Sequence, residues 1–354
     1  MSTSLAPGRT GHYSGFMATQ KDVADLAGVS FITVSRVVNK LGNVREDTRR
    51  RVEDAIRTLN YYPNRQAQAL NHGLTHTLGL VTPRMFDLPL YNNFYVMSLL
   101  SGVETKGREL GWDVLLTTDY DQEGDFDFLR VWHPRKVDGL VFVGLRRFPS
   151  EQIREIEAKH IPSVSIADRI ESPAISWIDS QNEQAAAEAV ERLGALGHRN
   201  FAFLGIDPAR DYNPNFQARE RAVRAAVAKH GWNLEVFTAT GMDDAGPASA
   251  WTYLSRSVRP TAVIAGNDSV AMGFRGVVQD AGWTCPRDFS LVGFDAEPSG
   301  QIHDPTLASF RQPLLDMGQT AVQVLIDTLT GRTVQKQTRA FPLVWVEGGS
   351  VGPL

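Results

Sequence analysis

One cysteine, Cys285, stands in a chain of 354 residues, so no disulfide can form within it. A reducing cytoplasm is the natural expectation. A lone thiol between Thr284 and Pro286 reads as a loop residue without a nucleophile's role. No apolar run approaches the ~20 residues a membrane helix needs. Residues 1–17 are expected to be a mobile extension with Met17 as a candidate alternative start, because they lack the apolar core and small-residue cleavage site of a secretory signal. No phosphate loop, no H-E-x-x-H and no paired Cys or His at metal-ligand spacing occurs, so neither cofactor nor metal is expected. The eight histidines are scattered, and His198 reads as a hydrogen-bonding residue at a helix end. One G-x-S-x-G match, Gly348 to Gly352, ends two residues before Leu354 with no helix to follow. It cannot build a nucleophile elbow. No catalytic residue is assigned.

What is present is 42% hydrophobic and 21% charged residues, the balance of a soluble globular chain long enough for two or three domains. The net charge of -4 hides an asymmetry. From Ala18 to Leu70 nine bases face six acids, which makes the head near +3 and the remainder near -7. A basic head on an acidic body fits a phosphate-facing module joined to a sensor.

The stretch QKDVADLAGVSFITVSRVVN, residues 20 to 39, carries that head. It reads as a helix, a tight turn and a second helix: small Ala24 where the helices cross, Gly28 in the turn, and Val34 and Val37 facing inward. Thr19 with Asp22 forms a capping box, and Ser30 caps the second helix. Any amphipathic helical hairpin can show such a pattern, so the surrounding chain has to decide. EDTRRRVEDAIRTLN, residues 46–60, presents Val52, Ala55, Ile56 and Leu59 as a helical stripe that closes a three-helix head. Its opposite face, with Arg49, is either a solvated charged face or a phosphate contact. After Pro63, the segment from Asn64 to Leu70 is too short to hold as an isolated helix, so it must fold on a partner.

From Thr77 onward, short apolar strands alternate with longer helical stretches. TLGLVT, WDVLLTT, DGLVFV and PSVSI form one series. ISWI, FAFLGI, LEVFT, TAVIAGN and SLVGFD form a second. Parallel sheets covered on both faces follow, as two doubly wound subdomains. The last helix, Leu314 to Leu329, is expected to return to the first series. A chain that crosses more than once between subdomains builds a hinged cleft, and ligands of such sheets bind at the carboxyl ends of strands. The expected domains are the head at 18–62, a hinge helix and linker at 63–73, one subdomain at 74–177 with 312–340, and the other at 178–311 with 341–354.

DVADLAGVSFITVSRVVN, VREDTRRRVEDAIRTLNYYPN, TLGLV, VDGLVFV, LGALGHRNFAFLG, PTAVIAGND, SLVGFD and FRQP follow one another in an order and spacing that resemble the lactose-repressor-like (LacI/GalR) family of bacterial transcriptional regulators. The resemblance covers more than 300 residues. It implies an α/β chain with an all-α helix-turn-helix head and a periplasmic-binding-protein-like core. It also implies a homodimer that reads a palindromic operator in double-stranded DNA. Carried over residue by residue, DNA contact falls on Thr19, Ser30, Phe31, Ile32, Thr33, Ser35, Arg36, Asn39 and Arg49 in the head. In the hinge segment it falls on Asn64, Arg65, Ala67 and Leu70. Arg36 suits guanine, while Phe31 and Ile32 offer only apolar contact, for example to a thymine methyl. Leu70 falls at a wedge position between base steps in the minor groove.

In the core, the resemblance places effector contacts on Arg221, Asn267 and Asp295, with Asp168 and Asp179 joining them and Tyr95, beside Phe94, stacking on the ligand. Guanidinium, amide and carboxylate groups suit the hydroxyls of a sugar or sugar derivative. Arg224 stands where the family has a glycine three residues after the effector arginine, and Val96 where it has a second aromatic. Asp168 lies one residue later than expected after Pro162. The tail GGSVGPL lacks the heptads of a tetramerising helix. The reading is an effector-gated repressor; a corepressor-dependent regulator, an activator and a cytosolic sugar-processing α/β enzyme are the alternatives. A sugar-binding transport protein would share the core but not residues 19 to 70.

Overall fold

A computed structural model describes residues 18–38, 42, 44–61, 73–82, 94–118, 128–133, 136–144 and 149–354. Two compact units divide the chain between Thr75 and His76.

The first unit holds α1 (Gln20–Ala27), α2 (Phe31–Val38) and α3 (Glu46–Thr58). Thr19 and Asp22 close the start of α1 reciprocally: the Thr19 amide donates to Asp22 Oδ2 at 2.7 Å, and the Asp22 amide donates to Thr19 Oγ1 at 3.3 Å. Gly28 ends α1 in the left-handed region with φ 62°, a conformation that costs other residues roughly 1–2 kcal/mol. Ser30 then caps α2 by accepting the Thr33 amide at 3.2 Å. Val23, Ala24, Val34, Val37, Val52 and Ala55 are buried as one core that ties the three helices together.

The second unit is two six-stranded sheets. Lobe 1 has the order β11-β5-β4-β3-β1-β2, from β1 (Thr77–Thr82), β2 (Asp113–Thr118), β3 (Gly139–Val143), β4 (Ser163–Ile166), β5 (Ile175–Ser180) and β11 (Thr338–Phe341). Lobe 2 has the order β12-β10-β9-β8-β6-β7, from β6 (Asn200–Ile206), β7 (Asn233–Ala239), β8 (Ala262–Ala265), β9 (Ser290–Phe294), β10 (Ala308–Arg311) and β12 (Val344–Val346). Among the described residues all pairings are parallel except the edge pair of β10 with β12. Buried runs such as GLVFV in β3 and AVIA in β8 fit strands covered on both faces.

One strand assignment from the sequence is corrected. ISWI, expected to open the second series, is β5; it pairs with β4 and β11 and so closes the first sheet. The chain leaves lobe 1 after Ser180, so a boundary at residue 177 cuts through a strand. The helices α7 (Asn182–Ala195), α8 (Pro214–Lys229), α9 (Met242–Leu254) and α10 (Asp268–Asp280) flank lobe 2. Before them run α4 (Phe94–Glu109), α5 (Leu129–Trp132) and α6 (Ser150–Ala158), and after them the short α11 (Pro298–Gln301). The last helix, α12 (Leu314–Leu329), returns to lobe 1 and packs on α4, β3, β4 and β5, as its place in the chain led one to expect.

The chain therefore crosses between lobes at Gln181, at Gln312 and between β11 and β12. Hydrogen bonds tie the crossings together. Ser180 Oγ donates to Gln312 Oε1 at 2.5 Å, and the Gln181 amide donates to the Phe341 carbonyl at 2.7 Å.

Candidate functional site

The candidate groups come from strand ends and one helix. Asp168 follows β4, Asp179 is near the end of β5, Asn267 follows β8, and Asp295 follows β9. These are the carboxyl ends of parallel strands, where ligands of open sheets bind. Asp295 and Ala296 hold positive φ values of 100° and 49°, conformations that side-chain-bearing residues adopt at a cost of about 1–3 kcal/mol each. The buried Asp268 holds this turn in place. Its Oδ1 accepts from Ser309 Oγ at 2.6 Å and its Oδ2 from the Glu297 amide at 2.7 Å.

Arg219 is the hub of the cluster. Its side chain on α8 is 1% exposed; Nε donates to Asn182 Oδ1 at 2.9 Å and Nη1 to the Gly266 carbonyl at 2.5 Å. Nη2 lies 3.5 Å from Asp295 Oδ1 and makes no hydrogen bond. The guanidinium also stacks 4.3 Å from the centre of the Phe294 ring. Burial pulls its pKa down against the opposing attraction of Asp295, while burial pushes the Asp295 carboxyl up against Arg219 and Gln312.

From Arg219 the network runs from lobe 2 to lobe 1. Asn182 Nδ2 donates to Asn215 Oδ1 at 3.0 Å, and Asn215 Nδ2 donates to the hydroxyl of Tyr95 in lobe 1 at 3.4 Å. Burial and the nearby Asp295 raise the Tyr95 phenol well above its ordinary range, so it stays neutral. On the other side, Gln312 Nε2 donates to Asp295 Oδ1 at 2.5 Å. Gln312 thus joins the Ser180 crossing to the carboxylate beside Arg219.

Lobe 1 adds two acids. Asp179 Oδ2 accepts from Arg169 Nε at 2.5 Å, while its Oδ1 is buried without a hydrogen-bond partner. Asp168 is pushed up to about 7 by burial and by the charge of Asp179.

Arg221, expected at this site, is not part of the cluster. It is 66% exposed and its nearest acid, Glu183, is 4.0 Å away. The inward face of α8 is set by Phe216, Arg219, Val223 and Val227, all buried, and Arg221 falls off that face. Arg219, two residues earlier, is the arginine of the buried cluster. Asn267 is already engaged, because its Oδ1 caps α10 by accepting the Val270 amide at 2.9 Å. Its Nδ2 meets Met242 Sδ at 3.7 Å. Asn182, Asn215 and Gln312 were missed in the sequence, although Gln312 lies within FRQP.

In the head, Phe31 and Ile32 are 55% and 63% exposed and Arg36 is exposed. Thr33 and Ser35 are half-buried, and Thr19 and Ser30 serve as caps. Arg49 is half-buried, with Nε 4.0 Å from Glu46 Oε2. Asn39, Asn64, Arg65, Ala67 and Leu70 lie outside the described residues.

Ser350 and His198 have structural roles. Ser350 is fully buried; its hydroxyl donates to the Leu291 carbonyl at 2.6 Å and accepts the Ala308 amide at 2.9 Å. Buried His198 meets Thr261 Oγ1 and Ser290 Oγ at 3.0 Å each and the Gly352 carbonyl at 3.1 Å, which pins the tail to lobe 2. Burial raises the Cys285 thiol, which keeps it protonated and inert at neutral pH. Among the described residues no helix is long and apolar enough to cross a membrane.

A helix-turn-helix head and a two-lobed core with a buried polar cluster, in one chain, define the class of ligand-responsive DNA-binding regulators. The family model of bacterial regulatory proteins of the lacI family matches residues 19–64, and that of the periplasmic binding protein-like domain matches residues 190–351. The ribose operon repressor of Escherichia coli (strain K12) is 32% identical over 344 residues, covering 94% of this chain and 100% of that protein. Catabolite control protein A of Priestia megaterium is 29% identical over 325 residues, covering 91% and 95% of the two chains. Among solved structures, the lac repressor dimer bound to operator and the anti-inducer ONPF superposes with a TM-score of 0.81 at 24% identity, covering 95% of this chain and 99% of that one. The complex of the transcriptional regulator CelR with cellobiose gives 0.68 at 25% identity, covering 94% and 99%. The chain belongs to the lacI family of bacterial transcriptional regulators. Its function is DNA-binding regulation of transcription and not an enzymatic reaction.

Proposed function

We propose that this protein is a homodimeric repressor whose hold on a palindromic operator is set by a sugar or sugar derivative bound between the lobes. The observation that carries this reading is Arg219 Nη2. A charged donor that is fully buried and unfilled costs free energy, about 1–3 kcal/mol even for a neutral group, unless something accepts from it. Asp295 lies 3.5 Å away without accepting from it, so a ligand hydroxyl, both donor and acceptor, satisfies the pair at once. Asp179 Oδ1 offers a second open acceptor in lobe 1. Ligand groups that engage both lobes favour the closed cleft over the open one.

The relatives agree in kind: one is a ribose operon repressor and one structure holds cellobiose. Tyr95, Asp168, Asp179, Arg219 and Asp295 are the proposed effector contacts, with Asn267 at the rim. In the head, Phe31, Ile32 and Arg36 face bases in this reading, supported by their exposure. Leu70 as a minor-groove wedge rests on the sequence alone.

The test is a thermal-shift screen of the full chain with D-ribose, D-cellobiose and a wider sugar panel. A sugar at 100 times its Kd stabilises by about 2.7 kcal/mol. Arg219→Gln is expected to abolish the shift, and Arg221→Gln to keep it. If no sugar moves the melting temperature, or both variants respond as the parent does, the reading is wrong.

A further inference from the structure

Arg219 is not alone in holding an unfilled polar atom. In lobe 1 the Asp179 side chain is 8% exposed, and its Oδ1 is buried without a hydrogen-bond partner. The charge of Asp179 acts on both Tyr95 and Arg219, so this carboxylate belongs to the side of the sheet that carries the cluster. Asp168 stands beside it. β4 and β5 run parallel with Ile166 opposite Ile178, and the Ala167 amide donates to the Ile178 carbonyl at 2.8 Å, so the next residue of each chain segment comes alongside the other. Gly144, just after β3, leaves room for this acid: a Cβ there would lie 2.4 Å from the Cβ of Asp168.

Positive charge is short here. Arg169 donates to Asp179 Oδ2 at 2.5 Å, to the two carboxylate oxygens of Glu183 at 3.2 and 3.1 Å and to the Ser180 carbonyl at 3.0 Å, so its charge is already shared between two acids. Arg219 faces Asp295 and also feels the charge of Asp268. Among the described residues these two guanidiniums answer Asp168, Asp179, Asp268, Asp295 and Glu297. Burial pushes all of those carboxyls upward, Asp168 to about 7, so that a proton held there serves as counter-charge. A neutral sugar leaves the excess of negative charge in place. A phosphate or carboxylate adds to it, and burying like charges together is costly. An ammonium group offsets it and brings three hydrogen-bond donors to acids that can only accept once ionised. We propose that the effector is an amino sugar whose ammonium lies between Asp168 and Asp179 while its hydroxyls meet Arg219 and Asp295. The inference rests on the reading of this cluster as the effector site and narrows the class of ligand. Sugar phosphates and sugar acids are excluded by the same charges.

The experiment uses the full chain at pH 7, where an amine of this kind carries its proton. D-Glucose, D-galactose and D-mannose are each paired with the 2-amino sugar of the same configuration, and D-glucuronate and D-glucose 6-phosphate represent the anions. Affinities are measured by calorimetric titration. An amino sugar is expected to bind about tenfold more tightly than its hydroxyl parent, the difference between a charge-assisted hydrogen bond and a neutral one. The anions are expected not to bind. Asp168→Asn and Asp179→Asn keep the shape and remove the charge, and each is expected to bring the ratio between amino and hydroxyl forms down toward one. Asp168→Asn leaves the ion pair of Asp179 with Arg169 in place, so it carries the test if the other variant does not fold. A hydroxyl sugar that binds at least as tightly as its amino partner, or an anion that binds best, overturns the proposal while leaving the cluster standing as a sugar site. So does an amino preference that survives in the variants. A panel from which nothing binds overturns the effector-site reading and this proposal with it.

Discussion

Arg219 and Arg221 sit two residues apart in ARERAV, and only one can face the lobe. Composition cannot choose between them; helix phase can. Phe216, Arg219, Val223 and Val227 recur at intervals of three and four, so the apolar stripe itself pointed to Arg219. Asp168 shows what burial does to a single group. Its folded pKa of about 7 lies above the ordinary 3.8, so the folded state holds a proton that the unfolded chain has released. Stability from this group is present at low pH and is lost as pH rises between those two values. Asp168→Asn is therefore expected to melt above the parent at pH 8, with a gap that narrows by pH 5. Calorimetry at the two pH values checks this, and an unchanging gap contradicts it.

Elements carry a second kind of information. The alternation of apolar strands with helices made both sheets legible, because strands buried on two faces have little freedom in composition. Which sheet ISWI joins was hidden, since β5 has the same character in either lobe and its partners are far away in sequence: β11 begins at Thr338. The close contact of α4 with α12 was equally hidden. A Cβ on Gly102 would lie 2.2 Å from the Leu315 carbonyl oxygen, and one on Gly318 would lie 2.4 Å from that of Leu99. Neither neighbour is a side chain that can swing aside. Gly102→Ala is expected to destabilise the core by about 1–3 kcal/mol through forced separation of the helices. Chemical denaturation measures it; a neutral result would mean that the two helices slide freely, which the backbone contact opposes.

For the whole molecule, the crossings between the lobes and the cluster are one hydrogen-bonded object. Ser180 at the first crossing bonds Gln312 at the second, and Gln312 bonds Asp295 beside Arg219. Under the proposed function, a ligand that engages Asp295 acts on a residue already tied to the crossings. The head was the easiest part of the chain to read, because Ala24, Gly28, Val34 and Val37 answer to local sterics. The cluster was the hardest, because Asn182, Asn215 and Gln312 are ordinary polar residues until the fold brings them together. The central claim is that a head built around Gly28 holds specific DNA under the control of that cluster. The most direct measurement is fluorescence anisotropy of the full chain on a duplex enriched from a random pool and on a scrambled one, with and without a sugar that shifts its melting temperature. The account predicts at least about a thousandfold preference for the enriched duplex and a change of about fivefold or more when the sugar is present. Equal affinity for both duplexes, or a sugar that binds the protein and leaves DNA affinity untouched, would contradict it.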